Sequence, residues 1–253
     1  LLEGRLTLRE RRHLYMVAGW LSGLLAEVSL ALDDDAGPHC VTALSLAQEV
    51  GHAGLAGWIR GIQAQIALYA GDPREAVTVA RAGQQVAPMG SAAMVRACTH
   101  DARASARLGD RAGTQVALDA AEHAWNVLSQ PPIRSIYSFG ACYLPYCAAT
   151  AFVWLGDPAH ARIWASEAIK PTGGSKPEPA VGRAIARVDL AIAMAQDSEP
   201  EAASAMGLEA MDICAQRITL PARRRIEELL AALGPFSEPC VMELRERWQW
   251  ISG

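Results

Sequence analysis

Long runs of this chain repeat apolar side chains at steps of three and four, and short breaks rich in Gly, Pro, Asp and Ser separate them. No stretch alternates apolar and polar residues with period two, so the pattern predicts helices and no strands. Helices are expected over 8–32, 38–50, 53–70, 73–87, 91–108, 111–128, 141–155, 158–169, 180–196, 200–216, 220–233 and 238–251. Four breaks share one spelling: Gly71-Asp72-Pro73, Gly109-Asp110-Arg111, Gly156-Asp157-Pro158 and Ser198-Glu199-Pro200. Glycine suits the left-handed residue that ends a helix, Asp caps the next one, and Pro fits its first turn.

The helices around these hinges are in phase. The hinges stand 38, 47 and 42 residues apart. Seven residues before each lie Ala64, Ala102, Ala149 and Ala191; five after lie Ala76, Thr114, Ala161 and Ala203; twelve after lie Gly83, Ala121, Ala168 and Ala210. Small residues at fixed offsets are what two antiparallel helices need to approach closely. A degenerate first copy anchored at Asp35 puts Cys40 and Ala47 at the later small positions and bulky Val28 at the earlier one. Such departures suit a terminal repeat that caps a stack.

This pattern resembles the tetratricopeptide repeat over roughly residues 10–215. The spacing is wider than the usual ~34 residues and the usual aromatic signature is missing. The resemblance implies an all-α, right-handed α-solenoid in one domain over 1–253. Its hairpins would lie near 8–50, 53–87, 91–128, 141–169 and 180–216, with a C-terminal capping helix pair over 220–251. The stretches Arg11–Asp34, Trp58–Ala82, Phe152–Ala168, Ala186–Ala210 and Leu229–Pro235 resemble, more closely, the C-terminal sensor region of actinobacterial helix-turn-helix (XRE-type) transcriptional regulators. The bias of 21 Arg to two Lys fits a GC-rich genome. The resemblance implies a sensor half separated from its DNA-binding domain, or a stand-alone relative.

In a tetratricopeptide-like stack the first helix of each hairpin lines the concave surface. Counting back 13, 10, 6 and 2 residues from each hinge gives Trp58, Gly61, Gln65 and Tyr69, then Arg96, Thr99, Arg103 and Arg107. The third set is Tyr143, Tyr146, Thr150 and Trp154, and the last is Ile185, Val188, Ile192 and Gln196. Of these, Trp58, Gln65, Tyr69, Arg96, Thr99, Arg103, Tyr143, Tyr146, Thr150 and Trp154 are the expected ligand-binding residues. Aromatic walls with guanidiniums and hydroxyls suit a planar or acidic small molecule, or a peptide carboxylate. Arg60 and Arg187 share one offset, and Asp101 and Asp189 are their expected partners.

Composition narrows the choice. A formal net charge of −4 with scattered basic residues argues against a nucleic-acid surface in this segment. The short clusters Arg9 to Arg12 and Arg223-Arg224-Arg225 read as solvated helix faces. Six cysteines without a CxxC pair, and no visible signal peptide, suit reduced thiols in a cytoplasm. The apolar segment Leu14–Leu32 approaches the length of a membrane span, but Ser22, Glu27 and Ser29 interrupt it. Cys98 and His100 are two apart on one helix and point about 200° away from each other, too far round to form a nucleophilic pair. No catalytic residue, metal site or cofactor is assigned.

The expected function is therefore a sensor that binds a small molecule or short peptide, alone or as a homodimer. One rival is an enzyme of specialised metabolism on this scaffold, gathering Tyr143, Tyr146, Cys147, His100 and Arg103. The other is a protein–protein adaptor.

Overall fold

The structure is a computed structural model that describes residues 7–128, 139–170, 180–215 and 217–252. Those residues form twelve helices and no strand. They are α1 (Leu8–Ala31), α2 (Gly37–Glu49), α3 (Ala53–Tyr69), α4 (Pro73–Val86), α5 (Ala92–Arg107) and α6 (Arg111–Asn126). The second half holds α7 (Tyr143–Trp154), α8 (Pro158–Ile169), α9 (Ala180–Gln196), α10 (Pro200–Cys214), α11 (Leu220–Ala232) and α12 (Pro239–Ser252). Each expected helix is present, with its ends within two residues of the expected ones.

The hinges explain that agreement, because each is set by local chemistry. Gly71, Gly109 and Gly156 have φ of 85°, 75° and 64°, and Ser198 takes the same left-handed region at 63°. Behind them the Asp72 N–H bonds back to Ala67 O at 2.9 Å, and Asp157 N–H to Phe152 O at 2.9 Å, which satisfies end carbonyls of the preceding helix. The Asp72, Asp110 and Asp157 side chains then accept from Glu75 N, Gly113 N and His160 N at 3.0, 2.8 and 3.2 Å. Glu199 makes no such cap. Its carboxylate instead takes Arg162 from α8 at 2.7 Å, and that bond holds it below the usual carboxylate range.

The small residues do what their phase implies. Ala64, Ala102, Ala149 and Ala191 are fully buried, as are Ala76, Ala121, Ala161, Ala203 and Ala210. At the first hairpin the left-handed residue is Asp33, not Asp35, with φ of 64°. Counted from Asp33, the small residue of the first helix is Ala26, fully buried, while Val28 is exposed. Counted from the start of α2, Cys40 and Ala47 stand where Ala76 and Gly83 stand in α4, and both are buried. The first copy is thus a regular one whose hinge is two residues longer.

The chain divides into two compact units. Among its described residues, unit 1 holds 7–108 and 115–128; unit 2 holds 109–114 and 139–252. In unit 1, α3 packs between α1 and α5, while α2 and α4 cover the same layer from behind. In unit 2, α9 packs between α7 and α11, with α8 and α10 behind and α12 against α10. Helix α6 begins in unit 2 and continues in unit 1, and Arg111 at its start donates to Leu155 O at 2.8 Å. The apolar loop residues Ile133, Ile136 and Tyr137, and the 171–179 segment, lie outside the described residues.

Candidate functional site

In unit 1 a polar row is built between α3 and α5. A Cβ on Gly61 would lie 2.6 Å from Arg96 Cδ, so the bare backbone at Gly61 lets the Arg96 shaft cross α3. Its guanidinium carbon then sits 4.7 Å from the centre of the Trp58 ring, a cation–π distance. Glu27 of α1 pairs with that guanidinium and also accepts from Trp58 Nε1 at 3.1 Å. Arg96 Nη2 donates to Gln65 Oε1 at 2.8 Å, and Gln65 Nε2 donates to the Tyr69 hydroxyl at 3.4 Å. Arg103 reaches the same hydroxyl at 3.5 Å and lies 5.9 Å from the Tyr69 ring centre.

His100 sits in this row, four residues after Arg96 and three before Arg103, and so on the same helix face. It is 2% exposed, and neither ring nitrogen has a hydrogen-bond partner. Burial, then the charges of Arg96 and Arg103, hold its pKa well below the usual imidazole range. His100 is therefore neutral near pH 7, with one N–H and one bare lone pair enclosed between two guanidiniums. Buried polar atoms are nearly always bonded, and an orphan pair on one ring needs a reason.

Unit 2 repeats the theme with other elements. Arg225 of α11 pairs with Asp189 of α9 and with Glu228, one turn along its own helix. Its guanidinium lies 5.3 Å from the Trp154 ring centre, and Trp154 Nε1 donates to Glu228 at 2.8 Å. Thr150 donates to Asp189 at 2.6 Å. Nearby, Phe139 stacks on Tyr143 at 3.6 Å between ring centres, and Tyr143 meets Tyr146 edge-on at 5.4 Å.

The sequence-predicted residues thus fall into separate groups. Trp58, Gln65, Tyr69, Arg96 and Arg103 join one bonded row in unit 1. Thr99 belongs to the same helix but its hydroxyl donates to the Arg96 carbonyl at 2.9 Å. Thr150 and Trp154 surround Arg225 in unit 2, and Tyr143 and Tyr146 pack with Phe139. Ile185, Val188 and Ile192 are buried, and Gln196 donates to Val153 O at 3.3 Å. Of the five residues of the enzyme reading, His100 and Arg103 belong to unit 1 and Tyr143, Tyr146 and Cys147 to unit 2.

Some expected pairings are replaced. Arg60 donates to Gln63, and Arg187 pairs with Glu209. Asp101 takes Arg81 and Gln84 instead, both at 3.1 Å, because these reach it across the α4–α5 contact. Arg225 is 1% exposed, not part of a solvated face.

Glu27, Asp189, Arg225 and Glu228 were not expected in a site, and His100 was expected only in the enzyme reading. For Glu27 and His100 a signal existed: a lone acid in an apolar helix, and an Arg-x3-His-x2-Arg spacing on one face.

None of the six cysteines forms a disulfide, and burial, followed by nearby Asp101, pushes Cys98 up to about 11. Cys40 is likewise pushed up to about 11 by burial and then Glu27. Among the described residues no group of three or more His, Cys, Asp or Glu is placed to hold a metal ion. A separate hollow of about 980 Å³ lies beside the first turns of α1 and includes Arg9, Arg12, Val50 and His52 in its lining. No protein-family model matches the chain, and no curated protein sequence matches it.

Proposed function

We propose that the chain is a ligand-binding module built of tetratricopeptide-like hairpins in a right-handed solenoid. Its ligand is a small planar acid or a peptide carboxylate, held along the unit 1 row. The observation that carries this reading is His100, a buried neutral imidazole with both nitrogens unbonded. A carboxylic acid or carboxylate–hydroxyl pair complements it, since the ring offers one donor and one acceptor and the neighbouring guanidiniums favour an anion. Trp58 and Tyr69 supply the flat apolar walls such a ligand needs.

In this reading the module is the sensory part of a cytoplasmic transcriptional regulator, or a stand-alone relative. The ligand changes the module's preferred state only to the extent that it binds the two states with different affinity.

The test is histidine-selective NMR of the full chain titrated with benzoate, 4-hydroxybenzoate, indole-3-acetate and an acetylated tetrapeptide with a free C-terminus. At least one probe should shift the His100 ring signals saturably, and Arg103→Met should weaken that response about tenfold or more. If all four leave His100 unperturbed at about 1 mM, a binding free energy weaker than about 4 kcal/mol, the reading is wrong.

A further inference from the structure

Helix α1 carries two apolar seams. Gly19, Gly23, Ala26 and Leu30 recur at steps of four, three and four and are buried. They face α2 and α3: a Cβ on Gly19 would lie 2.8 Å from Leu55, and one on Gly23 would lie 2.9 Å from Ile59. Leu14, Ala18, Leu21, Leu25, Val28 and Leu32 form the second seam at steps of four, three, four, three and four. It runs two residues out of phase with the first, about 200° round the helix. Leu21, Leu25, Val28 and Leu32 are 56%, 50%, 42% and 47% exposed. Scattered exposed leucines need no explanation, but a continuous heptad stripe is the pattern of a helix that pairs with another helix.

The charges at its ends say which helix. Arg9, Arg11 and Arg12 crowd the N-terminal end of α1, and Asp33, Asp34 and Asp35 follow its C-terminal end, all exposed. The helix dipole favours the reverse arrangement, acids at the start and bases at the end. Both mismatches turn favourable beside an antiparallel copy. With a two-fold axis beside Gly23, Leu14 meets Leu32, Ala18 meets Val28, and Leu21 meets Leu25 of the second copy. The same register sets Arg11, three residues before Leu14 on the seam, opposite Asp35. A parallel copy would set arginine against arginine.

We infer that a second copy of this chain docks its α1 antiparallel on this outer seam, forming a two-fold homodimer. The helix, 24 residues long, spans about 36 Å, ample for such a contact. Insertion of α1 across a membrane would instead tear Glu27 from buried Arg96 and from Trp58.

Sedimentation equilibrium of the full chain from about 1 to 100 µM tests this, a range that brackets typical dimer affinities. The wild type should dimerise, and Leu25→Glu should raise the dimer Kd about 100-fold by burying an unpaired charge. Arg11→Glu and Asp35→Arg should each weaken the homodimer about tenfold, and an equimolar mixture of the two should recover a 1:1 dimer. Far-UV circular dichroism melts establish that each variant folds, and Leu21→Lys replaces Leu25→Glu if the latter does not. A wild type that stays monomeric overturns the inference. So does a dimer indifferent to Leu25→Glu, or one indifferent to both charge reversals. Co-sedimentation of a monomeric wild type with phosphatidylglycerol vesicles, abolished by Leu25→Glu, would assign the seam to a lipid surface and likewise overturn it.

Discussion

In unit 1 Arg96 lies on Trp58 and shares Glu27 with the indole N–H; in unit 2 Arg225 lies on Trp154 and shares Glu228 with that indole. The three groups are the same and their surroundings differ. Arg225 faces two carboxylates, and one of them, Asp189, is fully buried and also takes the Thr150 hydroxyl. Arg96 takes Glu27 and the Gln65 amide, and its row continues through neutral His100 to a second guanidinium, Arg103. In unit 2 the Arg225 guanidinium ties α11 to α9, with its Nε left without a hydrogen bond. In unit 1 both nitrogens of the His100 ring lack a hydrogen bond. A buried ring left wholly unbonded lowers stability, which is the mark of a site rather than of a tie.

The largest expected effect separates the two arginines. Arg225→Met leaves Asp189 buried and uncompensated, and urea unfolding should show a loss of about 3–5 kcal/mol. Arg96→Met leaves Glu27, whose side chain is 29% exposed and can turn to water, so the loss should be about 1 kcal/mol. Equal losses would break the distinction between tie and site.

A gain should appear at His100. His100→Leu removes two unsatisfied polar atoms and should raise stability by about 1 kcal/mol while abolishing the response to acidic probes. A variant that loses stability and keeps the response would place the ligand elsewhere.

The same residue sets a pH dependence. The folded chain holds His100 well below the usual imidazole range, through burial first and then Arg96 and Arg103, so the unfolded chain binds this proton more readily. The stability it contributes is complete above about pH 6.5 and falls by about 1.4 kcal/mol per pH unit below that. Urea melts at about pH 5 and 7 should therefore show a steeper acid loss for the wild type than for His100→Leu. Parallel curves would mean that the imidazole takes up its proton as readily in the fold as in the unfolded chain.

Gly61→Ala sharpens the comparison from the backbone side. Its Cβ would meet the Arg96 shaft at 2.6 Å, so the guanidinium must leave Trp58, at about 1–2 kcal/mol and with a changed Trp emission. The smallest change concerns a hinge: Ser198→Gly should stabilise by up to about 1 kcal/mol in thermal melts, because φ at Ser198 is 63°. No gain there would mean that the serine side chain offsets its own strain.

Helix ends were legible because caps act within five residues. Gly71, Asp72 and Pro73 stop one helix and start the next with bonds that reach no farther than Ala67 and Ala76. Even the first hairpin, misplaced by two residues at Asp35, was readable once the left-handed residue was known to be Asp33. The row in unit 1 was half legible: helix phase placed Trp58, Gln65, Tyr69, Arg96 and Arg103 on facing surfaces. Glu27 was not, since it lies 69 residues from Arg96 and nothing local selects it over other acids. Arg225 was misread for the same reason, as nothing in its run of three arginines showed that its own side chain turns inward to Asp189.

By itself the sequence determined where helices start and stop and which small residues let them approach, because both depend on side chains a few positions away. Tertiary structure decided which carboxylate neutralises which guanidinium, and left His100 without one. That choice depends on which distant helices come to lie side by side, and on how little water reaches the space between them.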